Sequence, residues 1–198
     1  MTRKAFSDPG ETLWHEGWYR FARQLASPNF GPRPAQAHID LIVVHAISLP
    51  PGQFGTHQVQ RLFTNTLDWE AHPYFGSIRD LKVSAHFFIT RAGELWQFVS
   101  VKDRAWHAGD SFYRGRNNCN DDSVGIELEG LDDGAFEHAQ YESLSVLCAA
   151  LLQQGVIRYI AGHEHIAPGR KHDPGSGFDW LRLQSSLGLR PEQFPPTV

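Results

Sequence analysis

Residues 162–175 read Gly-His-Glu-His-Ile-Ala-Pro-Gly-Arg-Lys-His-Asp-Pro-Gly, which places three histidines, a lysine and two carboxylates in one short segment. Charged groups at that density need water, partners or a metal. The segment follows an apolar stretch, and loops leaving strand ends are a common seat of function. His163 and His165 are two apart, so an extended backbone would turn both to one side, as a chelating pair requires. A solvated polar loop reads the same way. A catalytic zinc takes three protein ligands and keeps a fourth position for water, so a further ligand would have to come from elsewhere in the chain. His45 closes the β-branched run Ile-Asp-Leu-Ile-Val-Val-His at residues 39–45 and is a candidate, although a core histidine bonded to backbone fits that position as well. Glu127 and Glu129 alternate with Ile126 and Leu128, so both carboxylates share one face of an expected strand. A carboxylate there suits a general base beside a metal-held water, and it also suits an ion pair or a solvated strand face.

Several elements must position these groups. Strands are expected at 39–45, 123–128 and 156–161, with a hairpin of 83–89 and 95–101 about a turn at 91–94. Helices are expected at 57–67, at 141–153, where Leu144, Leu147, Cys148 and Leu151 fall on one face, and at 178–187, with Trp180, Leu181 and Leu183 inward. The predicted architecture is a single α/β (α+β) domain with a central mixed sheet flanked by helices. Residues 1–35, rich in Pro, Gly and aromatics, are expected to form a strap along a domain of residues 36–190, and 191–198 a tail. The chain has 198 residues and a net charge of −4, which argues against a nucleic-acid partner. Lys and Arg are dense between Arg79 and Arg116, which suits a local basic groove for an acidic ligand. Two scattered cysteines, Cys119 and Cys148, make no disulfide framework and suit a reducing compartment. The polar start lacks a signal-peptide core, and no apolar run reaches the roughly 20 residues that span a bilayer. A cytoplasmic protein without a membrane partner is expected.

The words Val43-Val-His-Ala-Ile-Ser-Leu-Pro-Pro-Gly52, Ser84-Ala-His86, Arg104-Ala-Trp-His-Ala-Gly109, Cys119-Asn120, Gly125-Ile-Glu-Leu-Glu-Gly130 and Lys171-His-Asp-Pro-Gly175 occur in this order. Together with Gly162-His163 they resemble the N-acetylmuramoyl-L-alanine amidase family, which includes phage amidases and peptidoglycan recognition proteins. The likeness runs from about residue 15 to residue 187 and is strongest to the cytoplasmic branch acting on 1,6-anhydromuropeptides. The resemblance implies one zinc held by His45, His163 and Asp173, with Glu127 as catalytic carboxylate and Lys171 beside the substrate carbonyl. It also implies Trp106 against the anhydromuramyl ring, and a monomer that takes an anhydromuropeptide in cell-wall recycling. His86 and His107 fall inside the shared words and are expected to make structural hydrogen bonds lining the groove. The chain departs from the pattern at five places. Ala46 stands where relatives carry Asn. Lys82 replaces an Arg for stem-peptide carboxylates and loses its bidentate fork. Asn118 replaces a second such Arg, for which Arg116 is the nearest substitute. His165 and His172 replace an Asp and a Thr.

Overall fold

The computed structural model describes residues 12–195. Its frame is a six-stranded mixed sheet of β1 (Arg23–Gln24), β2 (Leu41–Ile47), β3 (Phe87–Ile89), β4 (Leu95–Gln97), β5 (Ser123–Glu129) and β6 (Tyr159–Gly162). The spatial order is β6-β2-β5-β3-β4-β1. β6, β2, β5 and β3 run parallel, β3 and β4 form the antiparallel hairpin, and β1 joins the edge parallel to β4. A parallel strand covered on both faces is apolar nearly throughout, and Leu41, Ile42, Val43 and Val44 of β2 are all buried.

Alternation along β2 and β5 divides the sheet into two faces. Ile42 and Val44, with Val124, Ile126 and Leu128, join the main core beneath the helix α3 (His138–Leu152), which contributes Leu144, Leu147, Cys148 and Leu151. The opposite face carries Leu41, Val43 and His45 on β2 and the buried column Ser123, Gly125, Glu127 and Glu129 on β5. Polar chemistry is thus confined to one side of the sheet. On that side lie α1 (Gln58–Phe63), α2 (Pro73–Ser77) and the single turn α4 (His163–Ile166), while α5 (Trp180–Leu187) packs against α3.

Element types match the sequence reading, but several limits shift for physical reasons. β2 continues two residues past His45 because Ala46 and Ile47 still pair with Leu128 and Glu129. The helix expected over 57–67 stops at Phe63, where Asn65 adopts a positive φ of 58°. Hairpin strands shorten because Ser84 N–H donates to the Trp106 carbonyl instead (3.1 Å). α5 turns Leu183 inward as expected, but Leu181 is 64% exposed.

Residues 12–34 lie along the sheet and fasten to it. Trp14 and Tyr19 meet at a tilt of 40°, and Trp14 meets Phe87 edge-on. The half-buried Arg33 guanidinium donates to the carbonyls of Val101 (3.2 Å), Asn120 (3.1 Å), Asp121 (2.7 Å) and Ser123 (2.8 Å). Burial lowers its pKa to about 10, which leaves it charged at neutral pH. These carbonyls surround the start of β5, so the N-terminal segment sets the loop that feeds the polar column. Residues 1–11 and 196–198 of the expected strap and tail lie outside the described residues. Arg33→Met strands four acceptors, and such losses cost about 1–3 kcal/mol each before relaxation. Calorimetry is expected to show Tm falling by roughly 6–12 °C, the equivalent of about 3 kcal/mol at this size; a fall under about 2 °C would remove Arg33 as the anchor.

Candidate active site

His45, Glu127 and His163 reach one level because the sheet register puts them there. His45 on β2 is the Cα partner of Glu127 on β5. Val44 is the partner of Gly162 on β6, and the next residue on that side is His163. The carboxyl ends of three adjacent parallel strands therefore deliver two imidazoles and a carboxylate to one place. Asp173 arrives by a return of the chain: α4 turns once, and Glu164 N–H donates to the Asp173 carbonyl (2.8 Å), closing the loop. Gly175, at φ +78°, then passes so close to the Asp132 carbonyl that a Cβ there would sit 1.9 Å from its oxygen. The loop is pressed down at that point, and no side chain fits.

Three ligand atoms converge. His45 Nδ1 and His163 Nδ1 are 3.0 Å apart, and each lies 3.1 Å from Asp173 Oδ2. His163 Nε2–H donates to the Ala108 carbonyl (3.0 Å), which leaves its Nδ1 bearing a lone pair. Lone pairs packed this closely repel unless a proton or a cation sits among them. Tetrahedral bonds of about 2.0–2.1 Å place ligand atoms roughly 3.3 Å apart, so a metal ion fits the set, and among the described residues this is the one cluster of that kind. Burial lowers the His45 pKa to about 4, which keeps the imidazole neutral and able to coordinate. Burial pushes the Asp173 carboxyl up, but the close approach of the His163 and His45 rings outweighs it and holds the group well below its usual range.

Glu127 stands beside this cluster without a bond to anything: its Oε2 is buried and unpartnered. Burial, then the Asp173 charge, drive its pKa well above the ordinary value, with Lys171 opposing. The ion-pair and solvated readings of Glu127 both fail. Glu129 on the same face does the structural work instead, accepting from Gly55 N–H (2.5 Å) and Arg91 N–H (3.0 Å).

A groove of about 350 Å³ contains His45, Glu127, His163, Lys171, Asp173 and Trp106 in its wall. Lys82 is exposed at the rim, between the lining residues Leu81 and Val83. Arg116 is elsewhere: it bonds Asp40 (2.5 Å) and Asp122 (3.4 Å) and lines a different surface cavity. The expected compensation for Asn118 therefore has no geometric basis, and Asn118 itself bonds Arg104 (3.2 Å) and Asp121 (3.0 Å). Nor does the dense cationic stretch form a basic groove, because Arg79, Arg91, Lys102 and Arg104 pair with Glu70, Glu137, Glu16 and Asp121. His163 and His165 do not chelate together. They lie on a helical turn, not an extended backbone, and the His165 Nδ1 accepts from Gly162 N–H (3.0 Å) while its ring meets Trp180. His172 is exposed, and Ala46 lines the groove.

Two supports escaped the sequence reading. Arg170 donates to the carbonyls of Ala108 (2.7 Å) and Asp110 (2.5 Å), tying the loop of Asp173 to the segment of Trp106. The Asn120 side-chain oxygen accepts from the N–H groups of His107 (2.9 Å) and Ala108 (2.8 Å). Both lie inside words the sequence had singled out, but their partners are backbone atoms that a sequence does not display.

Residues 35–176 match the family model of N-acetylmuramoyl-L-alanine amidase. The 1,6-anhydro-N-acetylmuramyl-L-alanine amidase AmpD of Citrobacter freundii is 49% identical over 175 residues, covering 87% of this chain and 94% of that protein. A crystal structure of an AmpD selenomethionine derivative superposes with a TM-score of 0.86 at 49% identity, over 89% of this chain and 99% of the other. The Escherichia coli amidase AmiD, solved with the substrate anhydro-N-acetylmuramic acid-L-Ala-D-gamma-Glu-L-Lys, has a TM-score of 0.55 at 29% identity, over 78% and 60% of the two chains. The chain belongs to the N-acetylmuramoyl-L-alanine amidase family of hydrolases.

Proposed function

We propose that this chain is a zinc-dependent amidase that hydrolyses the lactyl-L-alanine amide of 1,6-anhydro-N-acetylmuramyl peptides, working as a cytoplasmic monomer in cell-wall recycling. The observation that carries the reading is the unpartnered, buried Glu127 carboxylate beside three converging metal-ligand atoms. Identity near one half to a relative named for the anhydromuramyl substrate supports the substrate class. No helix among the described residues is long and apolar enough to cross a membrane.

His45, His163 and Asp173 would hold the zinc. Zinc bound there supplies a Lewis acid that lowers the pKa of water toward about 7 and polarises an amide carbonyl. Glu127 takes the proton from the attacking water and passes it to the departing alanine nitrogen. The Lys171 ammonium faces the charge that grows on the carbonyl oxygen, a contribution of roughly 3–4 kcal/mol where single donors have been removed. Trp106 covers the apolar side of the muramyl ring. Lys82 meets a stem-peptide carboxylate at the rim as a point charge.

Incubation with anhydromuramyl and ordinary muramyl tripeptides, followed by mass spectrometry, tests the assignment. The expected result is release of the intact peptide with its free alanine amine, abolished by chelation and restored by zinc. Cleavage between two amino acids, or undiminished cleavage after chelation, would contradict it. Glu127→Gln is expected to keep its zinc while losing at least about 100-fold in turnover; near-full turnover would remove Glu127 from the chemistry. The same variant has a pH signature in the metal-free protein. The folded Glu127 retains its proton above the ordinary value of 4.5, so the stability it contributes is complete below that pH and is lost as pH rises. Glutamine has no such loss. The variant's Tm is therefore expected to equal that of the wild type near pH 4 and exceed it increasingly toward pH 7, as thermal scans would record.

A further inference from the structure

His45 has a second ring nitrogen, and what it touches is another histidine. His45 Nε2 lies 2.9 Å from His107 Nδ1, His107 Nε2 lies 3.2 Å from Ser123 Oγ, and Ser123 Oγ lies 2.5 Å from the Cys119 carbonyl. The end of this chain dictates every proton in it. A carbonyl only accepts, so the Ser123 hydroxyl spends its one proton on Cys119. Its oxygen must then receive His107 Nε2–H. His107 Nδ1 is thereby left bare and accepts His45 Nε2–H. That leaves His45 Nδ1 with a lone pair, directed at His163 and Asp173. Any other neutral arrangement sets two acceptors or two donors against each other somewhere between Cys119 and His45; at the near end the bare His45 Nδ1 faces His163 Nδ1 and Asp173 Oδ2, a crowding of lone pairs that a cation relieves.

The fold has made room for this ring. Gly125 sits between Ser123 and Glu127 on the polar column of β5, and a Cβ there would come 2.5 Å from the His107 ring. Its φ is not in the left-handed region, so the backbone does not ask for glycine; the imidazole does. The main chain of His107 is fastened as well, since its N–H donates to the Asn120 side-chain oxygen in the loop before β5 (2.9 Å). His107 is thus locked in place by main chain, side chain and strand at once.

We propose that His107 is a positioning residue for the metal centre: through Ser123 and the Cys119 carbonyl it fixes His45 as the Nε2–H tautomer, presenting Nδ1 to the ion before the ion arrives. His163 receives the same instruction directly from a carbonyl, that of Ala108 (3.0 Å). The two imidazoles are therefore set by two carbonyls flanking one loop, one immediate and one relayed. The inference rests on the zinc reading given above, but its first test does not need zinc.

In metal-free wild-type protein, long-range nitrogen-15 NMR of the imidazoles is expected to show His45 and His107 both protonated on Nε2. His45 protonated on Nδ1 would overturn the inference. Zinc affinity by chelator competition supplies the second readout. His107→Leu removes the acceptor, and affinity is expected to fall roughly 10–100-fold. His107→Asn puts an amide oxygen where Nδ1 was and is expected to recover affinity to within about threefold of wild type by the same reasoning. Wild-type affinity in a folded His107→Leu protein would overturn the proposal, as would equal losses in both variants. Should His107→Leu fail to fold, Ser123→Ala frees His107 to reverse its tautomer; mixed His45 tautomers and weaker zinc binding are expected, and no change in either would refute the relay. Wild-type protein that takes up no zinc contradicts the proposed function, whereas the His45 tautomer alone decides this inference.

Discussion

Register between parallel strands is the constraint on which everything else in this molecule depends. β2 is hydrogen-bonded on one side to β5 and on the other to β6, so the heights of His45, Glu127 and His163 are fixed relative to one another by main-chain bonds. A slip of one residue in either pairing would turn the affected side chains to the opposite face, into the apolar layer under α3. The site is therefore as precise as the sheet is rigid, and it borrows that rigidity without placing a candidate ligand on a free loop, Asp173 excepted. Asp173 is made rigid differently, by the closure of its loop on Glu164 and the press of Gly175 against Asp132.

The division of the sheet into a structural and a chemical face explains how a buried polar column is tolerated. Ser123, Glu129 and the histidines behind the site each find a partner, while Glu127 is the exception. Burying a carboxylate without a partner is costly, and stability alone would favour its removal. A group held in that condition beside the three converging atoms is what the proposed proton transfer calls for. The same low-dielectric setting that raises its pKa strengthens its response to any positive charge brought near it.

Much of this was legible in the chain itself, and the reasons are specific. The β-branched run ending at His45 and the alternation Ser-Val-Gly-Ile-Glu-Leu-Glu announced two strands, and period-two alternation alone put Glu127 on the face away from Ile126 and Leu128. Spacing does not show which strands pair, so it leaves His45 open between ligand and core residue, and only the ordered family words favour the ligand. Spacing misled at His163 and His165, because the backbone turns into a helix at the very residue where an extended reading was extrapolated. It misled again at Arg116, where charge in sequence was mistaken for charge in the groove; Asp40 and Asp122, distant in the chain, neutralise it. Bonds from side chain to carbonyl, such as those of Arg33, Arg170 and Ser123, leave no periodic trace, and they are what converts a correct list of residues into a working geometry.

The proposed function requires that one ion gather His45, His163 and Asp173. Anomalous diffraction at the zinc edge from crystals of the zinc-loaded protein measures this most directly. A single strong peak is expected at about 2.0–2.2 Å from His45 Nδ1, His163 Nδ1 and an Asp173 oxygen. A peak elsewhere, or one bonded to His45 through Nε2 with His107 displaced, would contradict it.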